Sequence, residues 1–484
     1  METTKKQSSV KYYLNIAMVF ILMIVIGMLP PFGQITPLGM KVLGIFVGIL
    51  YGWIFVDLIW PSVFGFFALA LTGLITPLSG FQTAFSNATT TMVIMSFTFA
   101  YVLQKIGVNE AIAYWVLSKK TFVGRPWALI IAIVMASALM GILGGGFAAV
   151  FMLWGVVKTI QEINKIENGL VTSMLYALIL FAGMTASSMV PFYGYAILFG
   201  GFLTAATGVV VEGIEFLFVG ELYCVLAMLA IILIAKVVFK ADVSKFNLSE
   251  EMRLEYAAYK LNKQQKVGLV AVTLYFLALL LPSVFKTTFF TMLGGWGLVG
   301  ITVVFMTFFA IWRDEETGQP VCSMIDCFQK GVAWGPVLLF MITIPLANAM
   351  QAGEVGIMAT INAYCTSIFG GLDLFVLYAL IVILMGFFTQ FMHNMVMGII
   401  FIPVFANIVT SLGGNLMTFF FVIYCALLCS FATPAASTHA TLVFAKDEVP
   451  TKHGYLFGWL FYIVTVVIVI ALIPVCDILF ARFM

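Results

Sequence analysis

Long stretches of the chain lack any charged side chain, and this feature constrains the fold more than any other. No Lys, Arg, Asp or Glu occurs in residues 126–157, 171–211 or 374–445. Only 9% of the 484 residues are charged, whereas a soluble domain carries about 25%. The chain cannot surround its apolar residues with a wetted surface, so the sequence predicts an integral membrane protein.

The apolar stretches favour helices over a β-barrel. A transmembrane helix needs about 20 apolar residues, and the sequence offers about ten stretches of that length. The alternation of apolar and polar residues that a barrel strand requires is missing. We therefore expect an all-α polytopic membrane protein with about 11 transmembrane segments. The net charge of +2, with no large basic patch, excludes nucleic-acid binding as the main function.

Four apolar stretches are too long for one crossing or are interrupted near their centres. Glycine triplets and polar clusters within such stretches are typical of re-entrant hairpins and broken helices. The hairpins are predicted at 126–160 and 374–410, and the broken helices at 171–207 and 418–446. Their interruptions contain Gly144, Gly145 and Gly146; Thr185, Ser187 and Ser188; His393, Asn394 and Met395; and Thr433, Pro434 and Ser437.

The interruptions recur at a constant spacing. Residues 144 and 393 differ by 249, and residues 185 and 433 differ by 248. Internal repeats of this kind are typical of secondary transporters. Each repeat has an odd number of full crossings, so the second is predicted to be inverted. The predicted units are a first helix and loop (1–37), a first repeat (38–240), a linker (241–266) and a second repeat (267–484).

Positive charge predicts the orientation. If the N-terminus is cytoplasmic, 20 of the 23 Lys and Arg residues lie on the cytoplasmic side, and only Lys41, Lys286 and Arg482 lie outside. This distribution satisfies the positive-inside rule. We expect a multi-pass protein of the cell membrane with a cytoplasmic linker and an external C-terminus.

Short signatures along the chain point to a known family. They are Gly52-Trp53, residues 57–61, Gly73-Leu74, Phe85, Gly107, Ala111, Ala113, residues 401–403 and residues 432–434. With these, the chain resembles the divalent anion/sodium symporter family of the ion transporter superfamily, over nearly its whole length. The resemblance implies a homodimer in which hairpins and broken helices slide against a scaffold, as in an elevator.

The resemblance also implies an ion and substrate site at the hairpin tips. The family carries a Ser-Asn-Thr triplet at each tip, which helps to bind sodium and substrate carboxylates. Counting back from Pro403 places the second triplet at His393, Asn394 and Met395, where only the asparagine is retained. The same count from Trp154 places the first at the glycine triplet. Asn394 and the backbone of Gly145 are therefore the candidate sodium ligands, and we expect no other cofactor.

The residues at the interruptions suit an anion even without the family. An interrupted membrane helix exposes backbone groups that lipid cannot satisfy, so they face protein, water or a ligand. The helix N-termini offer partial positive charge to an anion, and freed carbonyls can coordinate a cation. All twelve residues of the four interruptions are candidate substrate-binding residues, and the expected function is sodium-coupled transport of a di- or tricarboxylate-like or inorganic anion.

Other interpretations stay open at this stage. The three glycines could allow close helix packing, and His393 could be a buried histidine with a satisfied hydrogen bond. Proton coupling through His393 is an alternative to sodium coupling. The chain could also be a non-transporting membrane subunit. An enzyme is not expected, because no carboxylate pair, Ser/His/Asp set or metal-ligand cluster lies at membrane depth.

Overall fold

The computed structural model describes residues 9–481 except 58, 143–145, 192–194, 212–213, 286, 316, 393 and 435. Within this part of the chain the structure is helical. Its β structure consists of two isolated bridges, Val123 with Leu248 and Arg313 with Pro320. The prediction of an all-α membrane fold is confirmed.

The first half contains eleven helices among the described residues. They are α1 (Ser9–Met28), α2 (Pro37–Phe55), α3 (Ile59–Ala70), α4 (Pro77–Ser86), α5 (Ala88–Ile106), α6 (Val108–Leu117), α7 (Pro126–Met140), α8 (Gly146–Ile163), α9 (Leu170–Met189), α10 (Tyr195–Thr207) and α11 (Ile214–Val237). A short 3₁₀ turn, Lys120–Phe122, precedes α7.

The second half contains another eleven. They are α12 (Glu250–Ala258), α13 (Lys263–Val284), α14 (Thr288–Ile311), α15 (Met324–Asp326), α16 (Trp334–Gln351), α17 (Ile357–Phe369), α18 (Leu374–Phe388), α19 (Asn394–Ser411), α20 (Leu416–Leu428), α21 (Thr438–Phe444) and α22 (Thr451–Leu479). A π turn, Cys327–Gly331, follows α15.

The repeat is visible in matching helix starts. Gly107 precedes α6 with φ 79°, and Gly356 precedes α17 with φ 72°. Both are left-handed conformations, which glycine adopts without steric cost. Their numbers differ by 249, like the hairpin interruptions. The series α6 to α11 therefore corresponds to α17 to α22.

The two repeats run in opposite directions. The Tyr424 hydroxyl donates to the Ser188 carbonyl at 2.5 Å, and the rings of Phe181 and Phe431 lie 4.5 Å apart. Contacts thus pair later residues of α9 with earlier residues around α20, so these counterpart helices are antiparallel. An inverted repeat requires this antiparallel order of α9 and α20, so the pair agrees with the prediction.

Helices α9 and α20 occupy the centre of the molecule. In α20 every residue from Met417 to Leu428 is buried, and in α9 nearly every residue from Thr172 to Met189 is buried. A helix that is apolar all round belongs in such an interior position. The two broken helices therefore form the core against which the hairpins pack.

Six described helices are long and apolar enough to cross a membrane, or up to eight spans if two bent helix pairs are counted. The arms of the hairpins are shorter. Helices α7 and α18 have 15 residues each, or about 22 Å at 1.5 Å per residue. The hydrocarbon core is about 30 Å thick, so neither of these two arms is long enough to cross it alone, which suits a re-entrant hairpin.

Candidate functional site

The interruption of the second broken helix lies between Leu428 and Thr438. Ser437 caps α21 by accepting a hydrogen bond from the Ala440 amide at 3.1 Å, and its hydroxyl donates to the Ser430 carbonyl at 2.7 Å. The Ser437 hydroxyl therefore bonds both the start of the interrupted segment and the first turn of α21. Pro434, within the same segment, is exposed.

Gln390 links the second hairpin to this segment. Its amide nitrogen donates to the carbonyls of Gly386 at 2.7 Å and Cys429 at 3.0 Å, and its amide oxygen accepts from the Ala432 amide at 2.8 Å. The Thr433 hydroxyl donates to the Gln390 carbonyl. Sequence reasoning missed Gln390, although an amide inside an apolar run, close to the predicted tip, is a usable signal.

Asn394 is the first residue of α19 and is only 1% exposed. Its side-chain nitrogen donates to the Ser430 hydroxyl at 3.4 Å. Its side-chain oxygen is buried and has no hydrogen-bond partner among the described residues. His393 lies outside the described residues, and Met395 follows Asn394 in the first turn of α19.

The interruption of the first broken helix begins after Met189, later than the polar residues suggest. Ser188 donates its hydroxyl back to the Met184 carbonyl at 2.7 Å, so it stays within α9. Val190 is extended (φ −77°, ψ 115°), as expected for a residue before proline. Thr185 lies within α9, 2% exposed, and its hydroxyl oxygen has no partner among the described residues. Ser187 is partly buried.

The first hairpin packs closely on α9. A Cβ added to Gly141 would lie 2.3 Å from the Gly183 carbonyl oxygen, and one added to Gly183 would lie 3.3 Å from Val150. Both arms therefore contact α9 near its end. Gly144 and Gly145 lie outside the described residues, and Gly146 begins α8.

The two interruptions lie side by side. The ring of Tyr195, at the start of α10, lies 5.7 Å from that of His439 in α21. His439 is 6% exposed and also lies 6.3 Å from Phe431. Tyr195, His439 and Ser430 thus join the predicted residues, although the site prediction omitted them. Aromatic contacts between two repeats leave no local sequence signal.

The arrangement offers an anion partial charges rather than formal ones. Helices α8, α10 and α19 all begin at interruptions, and a helix N-terminus carries about +0.5 of an elementary charge. Two buried oxygens, on Thr185 and Asn394, lack partners among the described residues. Oxygen atoms of this kind are ligands for hard cations. The site can hold a small anion near helix N-termini and a cation near the orphaned oxygens.

Comparisons with known proteins point to transport. The family described as the sodium:sulfate symporter transmembrane region matches residues 9–480. The crystal structure of the Alcanivorax borkumensis YdaH transporter, a protein of unusual topology, aligns with a TM-score of 0.56 and 12% identity, over 84% of this chain and 88% of that chain. At that identity the likeness shows a shared fold. No curated protein matches the chain.

Proposed function

Because the chain belongs to the sodium:sulfate symporter transmembrane family, whose match covers residues 9–480, we propose that it is a secondary active transporter. It carries a small anion across the cell membrane together with sodium. The anion is an inorganic oxyanion of the sulfate type or a small di- or tricarboxylate. The family assignment supports transport, and the chemistry of the two interruptions supports the anion and the ion.

The orphaned side-chain oxygen of Asn394 is the observation that carries the sodium proposal. A buried polar atom without a hydrogen bond costs about 1–3 kcal/mol, so its placement at an interruption needs a compensating partner. A sodium ion bound by this oxygen and by backbone carbonyls would supply that partner. Asn394 lies 3.4 Å from Ser430, which would bring a hydroxyl to the same ion. Gly145 is proposed to contribute its carbonyl from the first hairpin tip.

The anion is held without Lys or Arg. The hairpins and broken helices lack formal charge in residues 126–157, 171–211 and 374–445. Partial positive charge at helix N-termini, hydroxyl donors and the co-bound sodium stabilise the anion instead. Binding of anion and sodium would then be mutually dependent, which is the thermodynamic basis of symport.

The proposed movement follows from the fold. The hairpins and broken helices form a transport unit around α9 and α20, and helices such as α2, α3 and α16 form the scaffold. Sliding of the transport unit against the scaffold would expose the site to each side of the membrane in turn. The proposed assembly is a homodimer with a cytoplasmic N-terminus. The inverted repeat supports two states of similar energy.

Uptake into liposomes tests the proposal. Purified protein is first screened for thermal stabilisation by sulfate and by di- and tricarboxylates, with and without sodium. The stabilising anion is then used in uptake assays driven by a sodium gradient or by a pH gradient. We expect uptake in the parent to require sodium, because only the co-bound cation supplies a formal positive charge to the anion.

The variants Asn394→Ala and Asn407→Ala form a matched pair for this assay. Asn407 lies on the same helix, α19, and is exposed. We expect Asn394→Ala to lose sodium-driven uptake, Asn407→Ala to keep it, and His393→Gln to be weakened but active. Uptake that is independent of sodium, driven by the pH gradient and abolished in His393→Gln would replace sodium coupling with proton coupling. No uptake of any stabilising anion would favour a non-transporting subunit.

A further inference from the structure

Helix α11 carries an acidic residue, Glu221, within a membrane-spanning segment. The span Ile214–Val237 is strongly apolar, which makes a carboxyl group within it costly. Oxygen Oε1 of Glu221 is buried and has no hydrogen-bond partner among the described residues. Nothing in the proposed anion or sodium site uses this group, so it calls for its own explanation.

Contacts of neighbouring residues place Glu221 near the middle of the membrane. The hydroxyl groups of Tyr223 and Thr465 are hydrogen-bonded at 2.8 Å, and Thr465 is the central residue of the 29-residue helix α22. Glu221 is two residues from Tyr223, or about 3 Å along the helix axis. It therefore lies level with the central turns of α22, away from both ends of that span.

Further contacts place Glu221 at the end of α9, beside the first interruption. A Cβ added to Gly220 would lie 2.7 Å from the Met189 side chain. One turn further along α11, the Cys224 thiol faces the Ala182 carbonyl at 3.8 Å. Helices α9 and α11 thus run antiparallel, and Glu221 lies level with the segment from Thr185 to Met189. A movement that opens the interruption to water would therefore bring water close to this carboxyl group.

No described basic group compensates the charge of Glu221. The other titratable groups on its own helix are Glu215, Tyr223, Cys224 and Lys236, and Lys236 lies in the last turn of the helix. Helix α7 contributes no titratable side chain, and α9 contributes Tyr176, which donates to Gln161. Two other helices, α22 and α13, pack against α11. Their titratable groups are Lys452, His453, Tyr455, Tyr462, Cys476 and Asp477 on α22, and Lys263, Lys266 and Tyr275 on α13.

Four of these groups have hydrogen-bond partners other than Glu221. Tyr462 donates to the Ile383 carbonyl, Asp477 accepts from Thr418, and His453 lies 2.9 Å from the Ser173 hydroxyl. Tyr275 is hydrogen-bonded to Thr302. An ionised Glu221 would therefore be a partly buried charge without a counter-ion among the described residues, which is less stable than the neutral acid.

We propose that Glu221 is a proton-binding site within the membrane, protonated in this conformation and deprotonated when the transport cycle brings water to the end of α9. On release, the carboxyl O–H bond breaks, the proton passes to a water molecule and the carboxylate keeps the electron pair. Rebinding reverses these steps. The inference rests on the proposed transport cycle for its role, but the protonation itself does not depend on transport.

Infrared spectroscopy of the protein in liposomes tests the protonation directly. A protonated carboxyl group has a carbonyl stretch that a carboxylate lacks. At neutral pH we expect this band in the parent and in Glu215→Gln, and its loss or reduction in Glu221→Gln. Glu215 is the matched control because it lies in the first turn of the same helix. Absence of the band from the parent, or a band unchanged in Glu221→Gln, would overturn the proposal.

A second measurement needs no variant. A hydrophobic carbodiimide reacts with protonated carboxyl groups in membranes, and mass spectrometry locates the adduct. We expect an adduct on Glu221 of the parent at neutral pH, and its absence would count against the proposal. The infrared band should also persist when sodium is added, since its loss on sodium addition at constant pH would identify a sodium site instead.

Transport assays then test the role of the proton. With the sodium gradient held constant, we expect a pH gradient to change the uptake rate of the parent and of Glu215→Gln but not of Glu221→Gln. An equal response in all three would contradict a coupling role. If the parent takes up no anion, the proposed function fails, while the infrared and carbodiimide results still decide whether Glu221 holds a proton.

Discussion

At the scale of single residues, Gln390 fixes the geometry of the second interruption. Its side chain pairs the Ala432 amide and the carbonyls of Gly386 and Cys429, all within a buried region. Lipid cannot pair such groups, so a side chain must. The sodium proposal at Asn394 depends on this scaffold, because Gln390 positions the segment that contains Ser430.

Replacing Gln390 with leucine should destabilise the protein. The change leaves the Ala432 amide and the Cys429 carbonyl unpaired, at about 1–3 kcal/mol for each buried group. We expect a lower midpoint of thermal unfolding in detergent, measured by fluorescence. Gln351→Leu, at an exposed position of α16, is the control and should melt like the parent. Equal midpoints for the two variants would show that the Gln390 bonds do not support the fold.

Glu448 should make stability depend on pH. Its carboxylate lies 3.2 Å from Lys446 and 3.5 Å from Lys158. Burial raises its pKa, but a backbone hydrogen bond and the two lysines outweigh burial, so the pKa is lowered overall. A lowered pKa means that the folded state binds the proton more weakly than the unfolded state. The stabilisation is therefore present above the unfolded pKa and is lost as pH falls through the folded pKa.

We expect Glu448→Gln to lower stability at neutral pH by about 1 kcal/mol, with the difference from the parent shrinking towards zero in acid. Thermal unfolding of both proteins across a pH series measures this. Glu255→Gln, at an exposed position of α12, is the control and should match the parent throughout. A constant difference between Glu448→Gln and the parent at all pH values would assign the effect to packing rather than charge.

At the scale of elements, the first hairpin depends on close contact between α7 and α9. A Cβ on Gly141 would lie 2.3 Å from the Gly183 carbonyl oxygen, whereas a Cβ on Gly155 in α8 would meet nothing within 4 Å. Overpacking typically costs about 1–3 kcal/mol, while alanine is better than glycine in a helix by about 1 kcal/mol. The same substitution should therefore have opposite effects in the two helices of one hairpin.

We expect Gly141→Ala to lower the unfolding midpoint and Gly155→Ala to leave it unchanged or raise it slightly. Thermal unfolding of the purified variants measures both. Equal stability of Gly141→Ala and Gly155→Ala would mean that α7 separates easily from α9. The close contact between Gly141 and Gly183 would then be wrong.

The loop between α14 and α16 contains a pair of neighbouring thiols. The sulfur atoms of Cys322 and Cys327 lie 3.3 Å apart, and both residues are buried. The hydrogen bond from Cys327 lowers the pKa of Cys322 against the effect of burial, and Lys105 adds to the lowering. The hydrogen bond with Cys322, together with burial, raises the pKa of Cys327. Cys322 is therefore the better nucleophile of the two.

We expect the oxidant diamide to join Cys322 and Cys327 in a disulfide, with two electrons and two protons passing from the thiols to diamide. Mass spectrometry of peptides, after free thiols are blocked, measures the bond. Cys327→Ser should abolish it and leave Cys322 free. Two blocked, unbridged thiols in the oxidised parent would show that the pair cannot reach disulfide geometry.

The elements also show how far sequence can predict this fold. The second interruption was expected at Thr433, Pro434 and Ser437, and the structure places all three between α20 and the first turn of α21. The first was expected near Thr185, Ser187, Ser188 and Pro191, and because α9 continues to Met189 the break falls at the proline end of that range. The hydroxyl of Ser188 bonds within its own helix, so polarity alone does not end it. The chain leaves the helix where the residue before Pro191 disfavours helical geometry.

Long-range contacts set the limit of prediction for the site. The position of Asn394 at the start of α19 could be predicted from the polar break in an overlong apolar run and from the family triplet. Gln390, Tyr195 and His439 gain their roles from partners in other helices, which no local pattern reveals. Glu221 is one of two acids in a very apolar span, and composition averaged over the span hides it.

At the scale of the whole molecule, the charged segments gather on one face. Asn247 of the linker bonds both Gly124 and Asn164, and Arg253 reaches the Ser118 carbonyl. Lys158 pairs with Glu448 across the two repeats. Because segments far apart in sequence meet at this face, the excess of basic residues predicted from sequence is concentrated at one end of the molecule.

We predict that this face is cytoplasmic, so that residues 241–266 lie inside the cell and Phe483 and Met484 lie outside. The reason is that basic residues are retained on the cytoplasmic side, and reversal of the chain would place 20 of 23 positive charges on the wrong side. Reporter fusions in the linker and at the C-terminus, each active on only one side of the membrane, measure the two locations. The antiparallel arrangement of α9 and α20 makes the test stringent, since an inverted repeat requires the linker and the C-terminus to lie on opposite sides. A linker reporter active only on the outer face would reverse the assignment of every loop, and two reporters active on the same side would contradict the inverted repeat itself.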